Sequence, residues 1–144
     1  MRTGATLTGF WAVPGRPAFF ALANPRKEAV MRALEGKQLR VRVVVGESDR
    51  WHHRPLHLAL LERLRREGCA GTTVTRGIAG FGAHSVVYNA QMARLSDDLP
   101  VVIEVVDSEP QVEKVKAILD EMVTEGLVTI EPVTVLRYSA RPRA

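Results

Sequence analysis

Cysteine is almost missing from this chain. Cys69 is the single one, so no intramolecular disulfide can form. That suits a reducing, cytoplasmic setting. Long apolar runs are missing too: no stretch reaches the ~18–20 apolar residues that cross a bilayer. Residues 9–23 are apolar in patches, but Pro14, Gly15, Arg16 and Pro17 interrupt them, which makes a poor core for an export signal. The formal net charge is +4, yet Arg2, Arg16, Arg26 and Lys27 against Glu28 put most of that excess in the first thirty residues. Counterion release on nucleic acid needs Lys and Arg clustered on one face. The rest of the chain is nearly balanced, so no nucleic-acid partner is expected. Runs such as Arg63-Leu64-Arg65-Arg66 read as a solvated helix face. No low-complexity tract is present.

Catalytic constellations are also missing. No paired carboxylates suggest glycosidase or protease chemistry. Cys69 has no neighbouring base or oxyanion donors in sequence, so it reads as a small buried residue rather than a nucleophile. The glycine-rich stretch from Gly77 to Gly82 is followed by no Gly-Lys-Ser/Thr, and it opens no helix, which sets aside the Walker and Rossmann phosphate loops. Enzymatic activity is not expected. Four histidines raise metal binding: His52, His53, His57 and His84, with His53 and His57 spaced to share a helix face. A closed site needs three or four convergent ligands. A metal-binding protein built on these histidines is kept as the alternative reading.

What remains is a 144-residue chain with 46% hydrophobic and 25% charged residues, an ordinary balance for one domain. Residues 1–33 show no sustained periodicity and read either as a flexible extension, with a short helix from Pro25 to Leu34, or as an artefact of an early start codon, with Met31 the true start. From Lys37 onward the pattern is orderly. Leu39, Val41, Val43 and Val45 alternate along a first strand. Pro55 opens a helix to Glu67 with Leu56, Leu60, Leu61 and Leu64 on one face, and Gly68 closes it. Thr72–Ile78 is rich in β-branched residues and reads as a second strand. Val101–Val106 reads as a third, apolar on both faces except Glu104, hence central. Ser108 and Gln111 have capping-box spacing at the start of a second helix that Gly126 ends. Val128–Tyr138 is the last strand, with Pro132 marking an edge or a bulge.

The order βαββαβ predicts an α+β ferredoxin-like sandwich with both helices on one face of the sheet, over residues 34–138, and a short tail after them. One element is too long for this plan. Some twenty residues join Ile78 to Pro100, where hairpin loops take ~2–5. The loop opens with Gly80-Phe81-Gly82, holds Tyr88, Gln91 and Arg94, and closes on Asp97-Asp98-Leu99-Pro100. Its base is the strongest internal pointer to function. The loop from Gly46 to His53 is the second. A helix N-terminus with Ser48 and an arginine beside it can hold an anion, and Trp51 can stack on a base. Equally, Ser48 and Asp49 can satisfy turn backbone.

Gly71-Thr72-Thr73-Val74-Thr75 followed by Gly80-Phe81-Gly82 resembles the strand and loop base of PII signalling proteins. Leu99-Pro100 and Gln111-Val112 fall in matching places. Gly46-Glu47-Ser48-Asp49-Arg50-Trp51-His52 with Pro55-Leu56, then Arg76-Gly77-Ile78 with Gly80-Phe81-Gly82, then Leu95-Ser96 with Asp98-Leu99-Pro100, resembles a narrower PII-like family of bacterial and archaeal proteins, catalogued as a domain of unknown function. The resemblance implies a homotrimer with ligand clefts between subunits, and an adenine nucleotide against the base of the long loop. It also implies a regulatory role signalled through that loop. Genes of the narrower family often neighbour fluoride-channel genes, which implies a membrane channel or transporter as partner. The candidate ligand contacts are Ser48, Asp49, Trp51, His52, Thr73, Thr75, Arg76, Gly80, Phe81, Gly82 and Arg137. The chain departs from PII where Glu125-Gly126-Leu127-Val128 replaces a longer phosphate-holding loop with its lysine. A smaller nucleotide or another anion is as good a reading as a triphosphate.

Overall fold

The computed structural model describes residues 34–82, 88–89 and 98–139. Its elements run β1 (Gly36–Gly46), β2 (Arg50–Trp51), β3 (Arg54–Pro55), α1 (Leu56–Glu67), β4 (Thr72–Arg76), β5 (Ala79–Gly80), β6 (Tyr88–Asn89), β7 (Pro100–Asp107), α2 (Glu109–Met122) and β8 (Leu127–Val135). The expected flexible extension, helix 25–34, His84, Gln91, Arg94 and the last five residues lie outside the described residues, Leu34 aside.

Four strands form one sheet in the order β4-β7-β1-β8, each antiparallel to its neighbour. This is the ferredoxin-like arrangement expected from the sequence. Strand alternation gives the sheet two different faces. Val41, Val43, Val45, Val101, Ile103 and Val105 are buried on one face. Leu56, Ala59, Leu60 and Leu64 of α1 and Val112, Val115, Ile118, Leu119 and Met122 of α2 join them in one core. Each of these side chains but Ala59 contributes roughly 1.5–3 kcal/mol by leaving water. The other face carries rows set by register: Thr75, Val102, Val44 and Leu127, then Thr73, Glu104, Arg42 and Thr129. Arg42 and Glu104 stand directly opposite each other in that second row. β7 is central, as its apolar run predicts.

Several local expectations change. Pro55 precedes α1 as its N-cap and pairs with Arg50 in a two-residue ribbon, so it is not the first helical residue. His53 therefore lies outside the helix, in a turn where His52 and His53 both take positive φ, and it shares no helix face with His57. Gly68 does close α1 in the left-handed conformation, donating to the Arg65 carbonyl at 3.2 Å. β4 ends at Arg76, two residues before Ile78. α2 ends at Met122 with Val123 as its cap, ahead of Gly126. The last strand covers Leu127–Val135 and leaves out Tyr138, whose hydroxyl donates instead to the Ala70 carbonyl. Pro132 pairs with Leu39 in unbroken register, so it marks an edge strand and no bulge.

The capping box at α2 is absent. Ser108 makes no side-chain cap hydrogen bond. Gln111 turns inward instead; it is buried and its Nε2 donates to the Glu67 carbonyl at 3.1 Å and to Cys69 Sγ at 3.8 Å. Asp107, fully buried, takes over the end of α2: its Oδ1 accepts from Ser108 N and its Oδ2 from Ala70 N, both at 2.8 Å. Burial pushes the Cys69 thiol pKa up, with the Gln111 hydrogen bond opposing it.

Candidate functional site

The antiparallel register brings three chain ends to one corner of the sheet: the end of β1, the end of β4 and the start of β7. Gly46 pairs with Pro100, and Arg76 pairs with Val101. The β1–α1 loop leaves from this corner. Both roots of the long β4–β7 connection stand here as well.

Backbone and side-chain bonds knit the three together. Glu47 N donates to the Leu99 carbonyl at 2.9 Å, and Gly77 N to the Pro100 carbonyl at 2.6 Å. The Ser48 amide and hydroxyl both donate to Asp98 Oδ1, at 3.0 and 2.8 Å. The Arg76 guanidinium grips Glu47 Oε2 through Nε at 2.9 Å and through an NH2 group at 2.7 Å. That pair is exposed, so it contributes ~1 kcal/mol at most and mainly sets orientation. Asp49 Oδ2 accepts from Gly46 N at 2.9 Å, and the Asp49 carbonyl accepts from Leu56 N, the first amide of α1, at 2.8 Å. Trp51 is half-buried against the core and meets the His52 ring edge-on, with centroids 4.5 Å apart. Beyond the loop, Arg54 is bonded to Glu62 at 2.8 Å and holds that carboxyl below its usual range.

The long connection begins as a second small ribbon, in which Ala79 and Gly80 pair with Asn89 and Tyr88. A Cβ on Gly77 would stand 2.7 Å from the Pro100 ring, and one on Gly80 would stand 3.0 Å from it. These two glycines thus let the chain pass close over Pro100. Phe81 projects into solvent, 72% exposed, and Gly82 has nothing near its Cβ position.

The expected contacts therefore fall into groups. Ser48, Asp49, Trp51, His52, Arg76 and Gly80 stand at the corner or beside it, and Phe81 and Gly82 at its outer edge. Thr73 and Thr75 are exposed on the sheet face away from the helices, reaching back along β4 from Arg76. Arg137 lies elsewhere. It follows β8, whose Val135 pairs with Gly36 at the opposite end of β1. Ten residue steps of strand separate that end from Gly46, roughly 33 Å at the usual rise. Glu47 and Asp98 were absent from the expected set, although both sat inside the motifs that marked the region. Among the described residues no group of three or more histidine, cysteine or acidic side chains is placed to hold a metal ion. His57 Nδ1 is buried without a hydrogen-bond partner in this structure.

A four-stranded antiparallel sheet in this order, with two helices on one face and a long connection rooted beside the β1–α1 loop, defines a PII-like protein of ferredoxin fold. Residues 38–135 match the model of the DUF190 family, described as "Uncharacterized ACR", and the chain belongs to that family. A UPF0166 protein from Aquifex aeolicus is 36% identical over 108 residues, covering 74% of this chain and 98% of the relative. Another from Methanocaldococcus jannaschii is 34% identical over 91 residues, covering 62% of this chain and 83% of the relative. Among solved structures, CPII from Thiomonas intermedia K12, bound to ADP and bicarbonate, superposes with a TM-score of 0.50 at 18% identity over 74% of this chain and 93% of that one. A protein described as PII-like and signalling, from Thermus thermophilus, superposes with a TM-score of 0.50 at 21% identity over 74% of this chain and 94% of that one. No helix among the described residues is long and apolar enough to cross a membrane.

Proposed function

We propose that this chain is a regulatory binding protein that takes a small anionic ligand, an adenine nucleotide, at the corner formed by β1, β4 and β7. One observation carries this reading. The β1–α1 loop is hydrogen-bonded to both roots of the β4–β7 connection, through Glu47 with Arg76 and through Ser48 with Asp98. A ligand touching that loop is thereby coupled to the connection. Ordering or re-setting a loop is a recognised way to pass occupancy to a partner. The ADP held by the Thiomonas protein supports the choice of nucleotide.

In this reading the site is completed between copies. Arg137 is at the far end of its own sheet, so a neighbouring chain supplies that cation. The sheet face opposite the helices, with Arg42 facing Glu104 and the valines Val44, Val102 and Val106, packs against its neighbours in a closed homotrimer. The connection then signals to a partner, a membrane channel or transporter, without catalysis.

The test is calorimetry of the full chain with AMP, ADP, ATP and cyclic nucleotides. Binding by at least one is expected, with weaker binding for Arg137→Ala. Silence from all of them would defeat the nucleotide reading.

A further inference from the structure

At the corner, two donors of Ser48 converge on one oxygen. The backbone N–H and the hydroxyl both reach Asp98 Oδ1, at 3.0 and 2.8 Å. Paired donors on a charged oxygen make a strong, directional seat for an oxyanion. Gly46 shapes the same seat. A Cβ there would stand 2.5 Å from Asp98 Oδ1, so the carboxylate fills the volume a side chain would take. The two neighbouring carboxylates are engaged elsewhere. Asp49 Oδ2 accepts from Gly46 N at 2.9 Å, and Glu47 pairs with Arg76 at 2.7 Å.

We infer that Asp98 is an internal occupant of an oxyanion seat at Ser48, an autoinhibitory contact that a phosphoryl or small carboxylate oxygen of the ligand displaces. This rests on the ligand-binding reading above and adds its regulation. Asp98 immediately precedes Leu99, whose carbonyl accepts from Glu47 N, and Pro100, where β7 begins. Exchange of Asp98 for a ligand oxygen releases the Asp98 side chain and leaves the Glu47–Leu99 bond and the sheet register untouched. The coupling is reciprocal: whatever holds Asp98 on Ser48 weakens the ligand by the same factor.

The experiment titrates ADP, AMP, inorganic phosphate and bicarbonate separately into the native full chain and into D98A, D98N and D98A/S48A. D98A is expected to bind at least one probe about tenfold more tightly than the native chain, the fold-change worth one charge-assisted hydrogen bond. D98N keeps an acceptor without the charge and falls between the two; the double variant D98A/S48A, where no Asp98 competes, binds more weakly than D98A. Tightening with ADP and AMP alone assigns a nucleotide phosphoryl group, and tightening with bicarbonate alone assigns a small carboxylate. Unchanged or weaker binding in both Asp98 variants, with native circular dichroism and assembly size, overturns the inference; the nucleotide reading survives that result if native protein binds ADP. If no chain binds any nucleotide, the nucleotide reading fails by itself. Phosphate and bicarbonate then decide the seat, and silence from both overturns it.

Discussion

Replacing Asp107 by alanine strips the acceptor from two half-buried amides at once, Ser108 N and Ala70 N, both now at 2.8 Å from its carboxylate. Asp107 has no exposed surface, so water does not readily take its place. An unsatisfied buried donor costs about 1–3 kcal/mol, and partial relaxation of the Cys69–Gly71 turn recovers some of that. The expected loss is roughly 3 kcal/mol, or a melting temperature lower by on the order of 10 °C for a domain of this size. Chemical denaturation followed by circular dichroism measures it, at fixed protein concentration because self-association would add its own linkage. Ser108→Ala is the paired control. A helix cap is ordinarily worth ~1 kcal/mol, but Ser108 makes no cap bond with its side chain. Its removal should therefore change stability by less than ~0.5 kcal/mol, the range of an ordinary surface substitution. A small effect at Asp107 with a large one at Ser108 would refute this assignment of the α2 terminus.

Three further outcomes follow from single contacts. The Glu62 carboxyl is held low first by its hydrogen bond from Arg54, so its folded pKa lies below its unfolded one and the stabilisation exists above the unfolded pKa. It is lost as pH falls through the folded pKa; nuclear magnetic resonance should show Glu62 titrating higher in Arg54→Gln, and the small stability gap between the two proteins closing in acid. Cys69 is buried and its pKa is pushed up, so a maleimide at neutral pH should label it only in denaturant; labelling of folded protein at a free thiol's rate would contradict its packing. Arg42→Ala leaves Glu104 without the cation opposite it, and should shift the proposed trimer toward smaller species in sedimentation velocity; an unchanged trimer would count against that face as the interface.

The sheet was readable because its signal is periodic. Val41, Val43 and Val45 alternate with polar or half-buried neighbours, and β7 is apolar on both faces but for Glu104. Helix α1 was readable from its leucines. The terminus of α2 was not, since Ser108 and Gln111 have the spacing of a capping box while Gln111 is drawn inward by the Glu67 carbonyl, a partner 44 positions away. Asp107, one position before Ser108, holds that terminus through Ala70, a contact across the fold that no local pattern encodes. The corner was legible as a region and not as a mechanism. The glycine-rich base marked the place, and the structure shows Gly77 and Gly80 letting the chain pass close over Pro100. Ser48 and Arg76 were expected to face a ligand; within the chain they face Asp98 and Glu47. Arg137 was placed by resemblance, and only the strand register shows it at the other end of the sheet.

The claim that two copies build one site is tested most directly by mixing. Arg76→Ala removes a cation from the corner, and Arg137→Ala removes one from the far end. Each pure variant should bind ADP poorly. Unfolded together and refolded as a random mixture, they should form some interfaces that join an intact corner to an intact Arg137, about a quarter of the total in a head-to-tail ring. That fraction of native binding capacity should return at native affinity. If the mixture binds no better than its components, the site is not shared between copies.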